Sequence, residues 1–210
     1  MQQTGANSRD QILIAARQVF AEKGFDGARV DAIAVTAGVN KSLIYYYFKS
    51  KDEILNTIIS DFFLHTKEHT LELMRGLSFS DETAVERLFE QVFAFLESQS
   101  DLLRLVFMES LKQGSRMKGT VLFRFLDMYF GTGLEDVLHM AQQYDIEVKQ
   151  NADIGQIRVT EFFTMLAPVM LFIVLQDKWA EHYAVGKTEL RQQFVTALQQ
   201  THIAYHNAQE

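Results

Sequence analysis

Cysteine is absent from the 210 residues, which excludes disulfides, thiolate metal sites and cysteine nucleophiles. Proline occurs once, at Pro168, and the glycines are too scattered to form flexible stretches. Little is left to break helices, so the composition points to an all-α chain. No apolar run reaches the ~18 residues that span a bilayer. The strongest, Phe162 to Leu175, is shorter and holds Pro168, so it reads as a buried helix and not a membrane anchor. Met1–Asn7 has no apolar run, so no signal peptide is visible, and a reducing cytoplasm is the expected compartment. An excess of positive charge is missing too. The net charge is −7, which argues against a protein basic as a whole. The deficit is uneven, however: residues 1–55 hold seven Lys/Arg against six Asp/Glu, and the remainder 13 against 21. Any contact with nucleic acid is therefore local, through a few placed cations.

What is present begins with hydrophobic residues, 48% of the chain, enough to form a core. The length suits a small domain followed by a larger one, or a single large helical domain. Organisation centres on residues 24–53. Two short helical patterns meet there across Gly38, the layout of a helix-turn-helix. Ile33, Ala34 and Ala37 form one inward face, and Ile44 and Phe48, four apart, another. Gly38 sits where the backbone reverses and a positive φ costs least. Asn40 is suited to cap the second helix. With Ile44 and Phe48 inward, Ser42 and Tyr46 project the opposite way, flanked by Leu43 and Tyr45. Lys41, Ser42, Tyr45, Tyr46, Lys49 and Lys51 combine cations with hydroxyls and include no acid, which suits phosphate oxygens and groove edges. Lys41 is fitted to guanine acceptors and Ser42 is indiscriminate; Leu43 either touches a thymine methyl or is partly buried. Ser50 and Glu53 form a capping box that starts the next helix, whose free N–H groups beside Lys51 make an anion seat.

The segment resembles the DNA-binding domain of the TetR family of transcriptional regulators. The residues that carry the resemblance are Ile33-Ala34, Ala37-Gly38-Val39, Tyr45-Tyr46-Tyr47-Phe48 and Ser50-Lys51-Asp52-Glu53, at the family's spacings over about the first quarter of the chain. Where the family carries Thr or Ser, this chain reads Arg29-Val30-Asp31, and Arg29 stands in for the hydroxyl at the phosphate. The resemblance implies a three-helix DNA-binding domain over residues 1–52 and a larger helical domain over 53–210. It also implies a homodimer joined through the last two long helices and a small-molecule effector in the second domain. Two reading helices would then lie ~34–36 Å apart on a pseudo-palindromic operator. On this resemblance the chain is a regulator, most often a repressor in this family, and not an enzyme.

Outside this segment the pattern is helix after helix. Asn7 or Ser8 caps a first one, with Ile12, Ala16, Val19 and Phe20 at helical spacing and Gly24 at its end. A long helix runs from Lys51 to about Arg75 with no linker between the halves, a lever by which one end is felt at the other. Further helices are expected over Ser80–Glu97, Asp101–Lys112, Lys118–Tyr144 (interrupted at Gly131-Thr132-Gly133), Ala152 to about Tyr183, and Thr188 to about Tyr205. Because Phe162–Leu175 is apolar nearly all round, it needs cover on every side, part of it from a second subunit.

Fourteen of the 17 phenylalanines follow Lys51. Phe89, Phe93, Phe107, Met108 and Phe123 are candidates to line an effector cavity. Met128, Tyr129, Phe163 and Met165 complete the set, and each of the nine serves equally as core. Glu109, Arg124, Asp127 and Glu161 are candidates to orient a ligand. His65 and His69, four apart, make a weak metal pair without further ligands in a metalloenzyme order, and no metal is assigned. No nucleophile or cofactor motif is present, the Gly131-Thr132-Gly133 stretch lacking the strand and third glycine of a nucleotide loop. The alternative class is an all-helical carrier of, or enzyme acting on, a hydrophobic molecule.

Overall fold

The computed structural model describes residues 5–75, 82–110, 142 and 153–203, and every regular element among them is helical. The helix expected between Lys118 and Tyr144, with Phe123, Arg124, Asp127, Met128 and Tyr129, lies outside the described residues. The chain divides into two compact units. Residues 5–65 with 101–110 belong to the first, and 66–100 with 142 and 153–203 to the second.

In the first unit, α1 (Gly5–Gly27) opens ahead of the expected cap and is broken at Gly24, where φ is 68° and ψ 167°. Phe25 turns back beside Phe20, ring centroids 5.5 Å apart. Ile12, Ala16, Val19 and Phe20 are buried on one face of α1, where it packs on α2 (Val30–Ala37) and α3 (Lys41–Tyr47). Ile33, Ala34, Ile44 and Phe48 are buried with them. Burial at this level contributes about 1.5–3 kcal/mol for each large side chain. The helix α4 (Lys51–Met74) follows, with Ile54, Leu55, Ile58, Ile59, Phe62 and Phe63 buried before its course passes from the first unit's residues into the second's. The first unit closes with α6 (Ser100–Ser110), whose Leu102, Leu103, Leu105 and Val106 are buried. Arg17 of α1 grips Asp101 in the first turn of α6, with Nε donating to Oδ2 at 2.8 Å and the second donor to Oδ1. That guanidinium holds the Asp101 carboxyl below the usual carboxylate range, against the opposing effect of desolvation.

The second unit contains α5 (Glu82–Ser98), α7 (Ile154–Glu161), α8 (Ala167–Tyr183) and α9 (Lys187–Leu198). Asp153 caps α7 by accepting from Gly155 N at 2.8 Å and Gln156 N at 3.3 Å. A π-turn, Phe162–Leu166, joins α7 to α8, and Pro168 lies in the first turn of α8. Proline has no N–H to give and its ring crowds the carbonyl four residues back. Widening the turn by one residue relieves that crowding without ending the helix. A second π-turn, Gln199–Ile203, extends α9 and meets the first. There buried His202 places Nδ1 2.7 Å from Thr164 Oγ1 and Nε2 3.4 Å from Glu161 Oε2. The core between α5, α8 and α9 is aromatic. Phe172 and Phe194 stack at 4.1 Å, and Phe93 meets both edge-on at 5.7 and 5.8 Å. Beside it Glu97 accepts from Gln176 Nε2 at 2.8 Å and from the Arg191 guanidinium.

Buried Val169, Met170, Ile173, Gln176 and Ala180 mark the covered side of α8. Val159, Phe163, Leu171, Leu175, Trp179 and Tyr183 are exposed at multiples of four residues along the same rod. The Phe162–Leu175 run is therefore part of a longer apolar element than its sequence limits suggest. Residues Ile154–Tyr183 are long and apolar enough, by length and composition, to cross a membrane, and the core helix of a soluble protein passes the same test.

Candidate nucleic-acid interface

The turn between α2 and α3 is built by two residues. Gly38 adopts φ 66°, ψ 28°, and the Val39 N–H donates to Ala34 O at 3.0 Å, closing α2. Two residues later the Asn40 side chain accepts from Leu43 N at 2.9 Å, opening α3. Between these fixed ends, α3 buries Ile44 and, at its C-cap, Phe48. The helical period then decides the rest: Tyr46 is 79% exposed and Tyr45 50%, with Lys41, Ser42 and Lys49 also exposed and Leu43 partly covered. Tyr47 lies against both neighbours, 5.0 Å from the Tyr46 ring and 6.5 Å from Phe48. Arg29 stands exposed at the N-cap of α2, with extended backbone and no capping bond from its side chain.

Two polar contacts reshape this face. The Ser42 hydroxyl donates to Asn40 Oδ1, so the capping residue and its neighbour hold each other. Lys41 Nζ lies 2.8 Å from Asp31 Oδ1 of α2. The hydrogen bond from Lys41 to Asp31 raises the lysine's pKa above its ordinary value, so the ammonium is charged throughout the physiological range. Periodicity does not reveal Asp31 as a neighbour of the reading helix, because the contact crosses the turn between two helices.

Lys51 behaves differently from the other cations. Its Nζ donates to Phe25 O at 2.6 Å and Ala28 O at 2.9 Å, and it sits 4.4 Å from the centre of the Phe25 ring. It thereby fastens the start of α4 to the last turn of α1 and to Ala28 just beyond it. Next to it the capping box forms: Ser50 Oγ accepts from Glu53 N at 3.1 Å, while Glu53 Oε2 accepts from Lys49 N at 2.7 Å. Of the first-turn N–H groups expected to seat an anion, that of Glu53 is taken by Ser50 Oγ, while the Glu53 carboxylate bonds the Lys49 N–H just before the helix.

The candidate cavity residues are less concentrated. Phe89 and Phe93 are buried together in the second unit, ring centroids 6.3 Å apart. Phe107 and Met108 belong to the first unit, and Met108 is exposed. Phe163 is exposed against Phe162 on the π-turn, with Met165 partly covered nearby in sequence. Glu109 is buried in α6, and Glu161 faces His202. His65 is exposed, whereas the His69 ring lies against Phe95 at 4.6 Å. An open groove in the first unit, lined by Ser50, Asp52, Glu53, Asn56, Thr57, Ser60 and Asp61, is polar and acidic, unlike a site for a lipophilic molecule.

Residues 12–58, spanning the reading helix, its support and the start of α4, match the family model "Bacterial regulatory proteins, tetR family". The likeness to the TetR family is thus carried by residues 12–58 of the chain. Among similar proteins, the HTH-type transcriptional regulator YdgC of Bacillus subtilis is 33% identical over 110 residues, 51% of this chain and 56% of that one. The HTH-type transcriptional repressor NicS of Pseudomonas putida is 29% identical over 112 residues, 53% of this chain and 52% of that one. The chain thus spans about half the length of these curated relatives. Solved structures extend the likeness in fold. The fatty acid degradation regulator FadR of Bacillus halodurans superposes with a TM-score of 0.65 at 24% identity, covering 94% of this chain and 96% of that one. FadR of B. subtilis, solved in complex with stearoyl-CoA, gives 0.62 at 23% identity, covering 90% and 96%. The described residues therefore have the all-α architecture expected of the chain, an N-terminal helix-turn-helix followed by further helices.

Proposed function

We propose that the protein is a sequence-specific DNA-binding transcriptional repressor, released by a small hydrophobic effector, and not an enzyme. The observation that carries this is the face of α3: cations and hydroxyls stand exposed on a helix whose other side is buried and whose two ends are locked. Such a helix presents base-reading groups without internal play, the condition for direct readout in the major groove. Arg29, Asn40, Lys41, Ser42, Leu43, Tyr45, Tyr46 and Lys49 form the contact set. Lys51 contributes by holding the head together.

Residues 1–52 act as the DNA-binding part and 53–210 as the effector and dimerisation part, with α4 as the lever that starts in one and continues into the other. An effector that binds best when the reading helices are misplaced weakens DNA binding, and DNA weakens effector binding by the same factor. The solved FadR holding stearoyl-CoA makes long-chain acyl thioesters the first class to try. The exposed four-residue stripe from Val159 to Tyr183 supports a homodimer that covers it, and with it a cytoplasmic protein, not a membrane-bound one. The test is selection of bound duplexes from random DNA, followed by titration at several salt concentrations. A pseudo-palindromic operator bound at nanomolar levels, and released by an acyl-CoA panel, is the expected result. Tight binding of the acyl-CoA with no duplex retained at any salt would favour a carrier.

A further inference from the structure

We propose that Asp31 is a specificity-determining residue of the reading face, acting by restraining Lys41; this rests on the DNA-binding reading above. Both side chains are exposed, at 69% and 47%, and they meet at 2.8 Å across the turn. Asp31 is thus an acid on the edge of a face whose other named members are cationic or neutral, a position that disfavours binding any duplex.

The reason for such a residue lies in how a lysine meets DNA. An unrestrained ammonium on a flexible stem settles on the nearest phosphate, which gives affinity on every sequence and information on none. Paired with Asp31, Lys41 has little net charge to offer a phosphate. Moving it there would also leave a bare carboxylate facing the backbone. The ammonium has three protons, however, so it can donate to Asp31 and to the O6 and N7 acceptors of a guanine at once. The pair therefore penalises non-specific duplex and leaves the readout of a correctly placed guanine intact. Asp31 is a positioning residue: it works through Lys41 and itself touches no base.

The test uses the full-length protein, the operator selected from random DNA, and a scrambled duplex of the same length. Asp31→Asn is expected to bind the scrambled duplex on the order of threefold to tenfold tighter near physiological salt, with a steeper salt slope by about one phosphate contact. Operator affinity changes less, so the ratio of the two falls. Asp31→Glu keeps the charge and restores the ratio, and unchanged melting of both variants shows that the fold is intact. In a Lys41→Met background the Asp31→Asn effect should largely vanish. A ratio unchanged by Asp31→Asn, or one that falls just as far without Lys41, overturns the proposal while leaving DNA binding in place. A wild-type protein that retards no duplex ends both.

Discussion

Tyr46 and Lys51 sit five residues apart and do opposite work. Tyr46 is mostly exposed, with its ring edge-on to Tyr47, so Tyr46→Ala should lower the melting temperature only slightly. In a gel-shift titration the same variant should lose about 1–3 kcal/mol of operator affinity, the range for a base-reading interaction. Lys51 is occupied by the Phe25 and Ala28 carbonyls and the Phe25 ring. Lys51→Met should therefore cost about 1.5–3 kcal/mol in urea unfolding, as expected for charged donors to backbone acceptors. The salt slope of operator binding separates the two roles. Removing an ammonium that neutralises a phosphate lowers the slope by about 0.9, whereas removing a strut leaves it alone. Sequence alone assigns both residues to DNA, because both are polar and lie on or beside the reading helix. What distinguishes them is that Lys51 bonds to carbonyls more than twenty positions back along the chain, which no periodicity encodes.

At the level of elements, legibility follows range. The turn at Gly38, the Asn40 cap and the Ser50–Glu53 box all bond within five residues, and all form where the residue types call for them. Gly38→Ala tests this cleanly: nothing lies within 4 Å of the added Cβ, so the cost is the positive φ itself, about 1–2 kcal/mol. Calorimetry should show that loss, and operator binding should weaken further because α3 is no longer held. The π-turns are not legible, since Pro168 announces a break in the ladder but not whether the chain kinks, stops or widens by one residue. The Arg17–Asp101 clamp is hidden by 84 positions of separation. It has a pH signature. The folded carboxyl has a pKa lowered by Arg17, so its contribution is present above the unfolded value near 4 and is lost as pH falls through the folded one. Melting measured from neutral to acid pH should show Asp101→Asn flattening the acid limb. The effect should be modest, because the pair is partly exposed and screened.

For the molecule as a whole the deciding feature is the uncovered stripe on α7 and α8. Trp179 is 52% exposed and Phe163 66%, and with Leu171, Leu175 and Tyr183 they recur at multiples of four residues along the rod, while Val169, Met170, Ile173 and Ala180 are buried on α8, which packs on α5 and α9. A soluble monomer rarely tolerates so continuous an apolar face. Covering it with the same face of a second copy requires a two-fold axis, the symmetry of a pseudo-palindromic operator. Dimerisation and operator binding are then linked by mass action, and the double substitution Leu171→Asp with Trp179→Glu tests that link. Light scattering should show a dimer for the wild type and a monomer for the variant. The monomer should bind a half-site duplex about as well as the wild type does, since Lys41 to Lys49 are untouched. On the full operator its affinity should fall by about 10²–10⁴, the advantage that joining two sites supplies, and its salt slope should drop by about half. A monomeric variant that kept full operator affinity would mean that one head reads DNA alone and that the stripe serves some other partner.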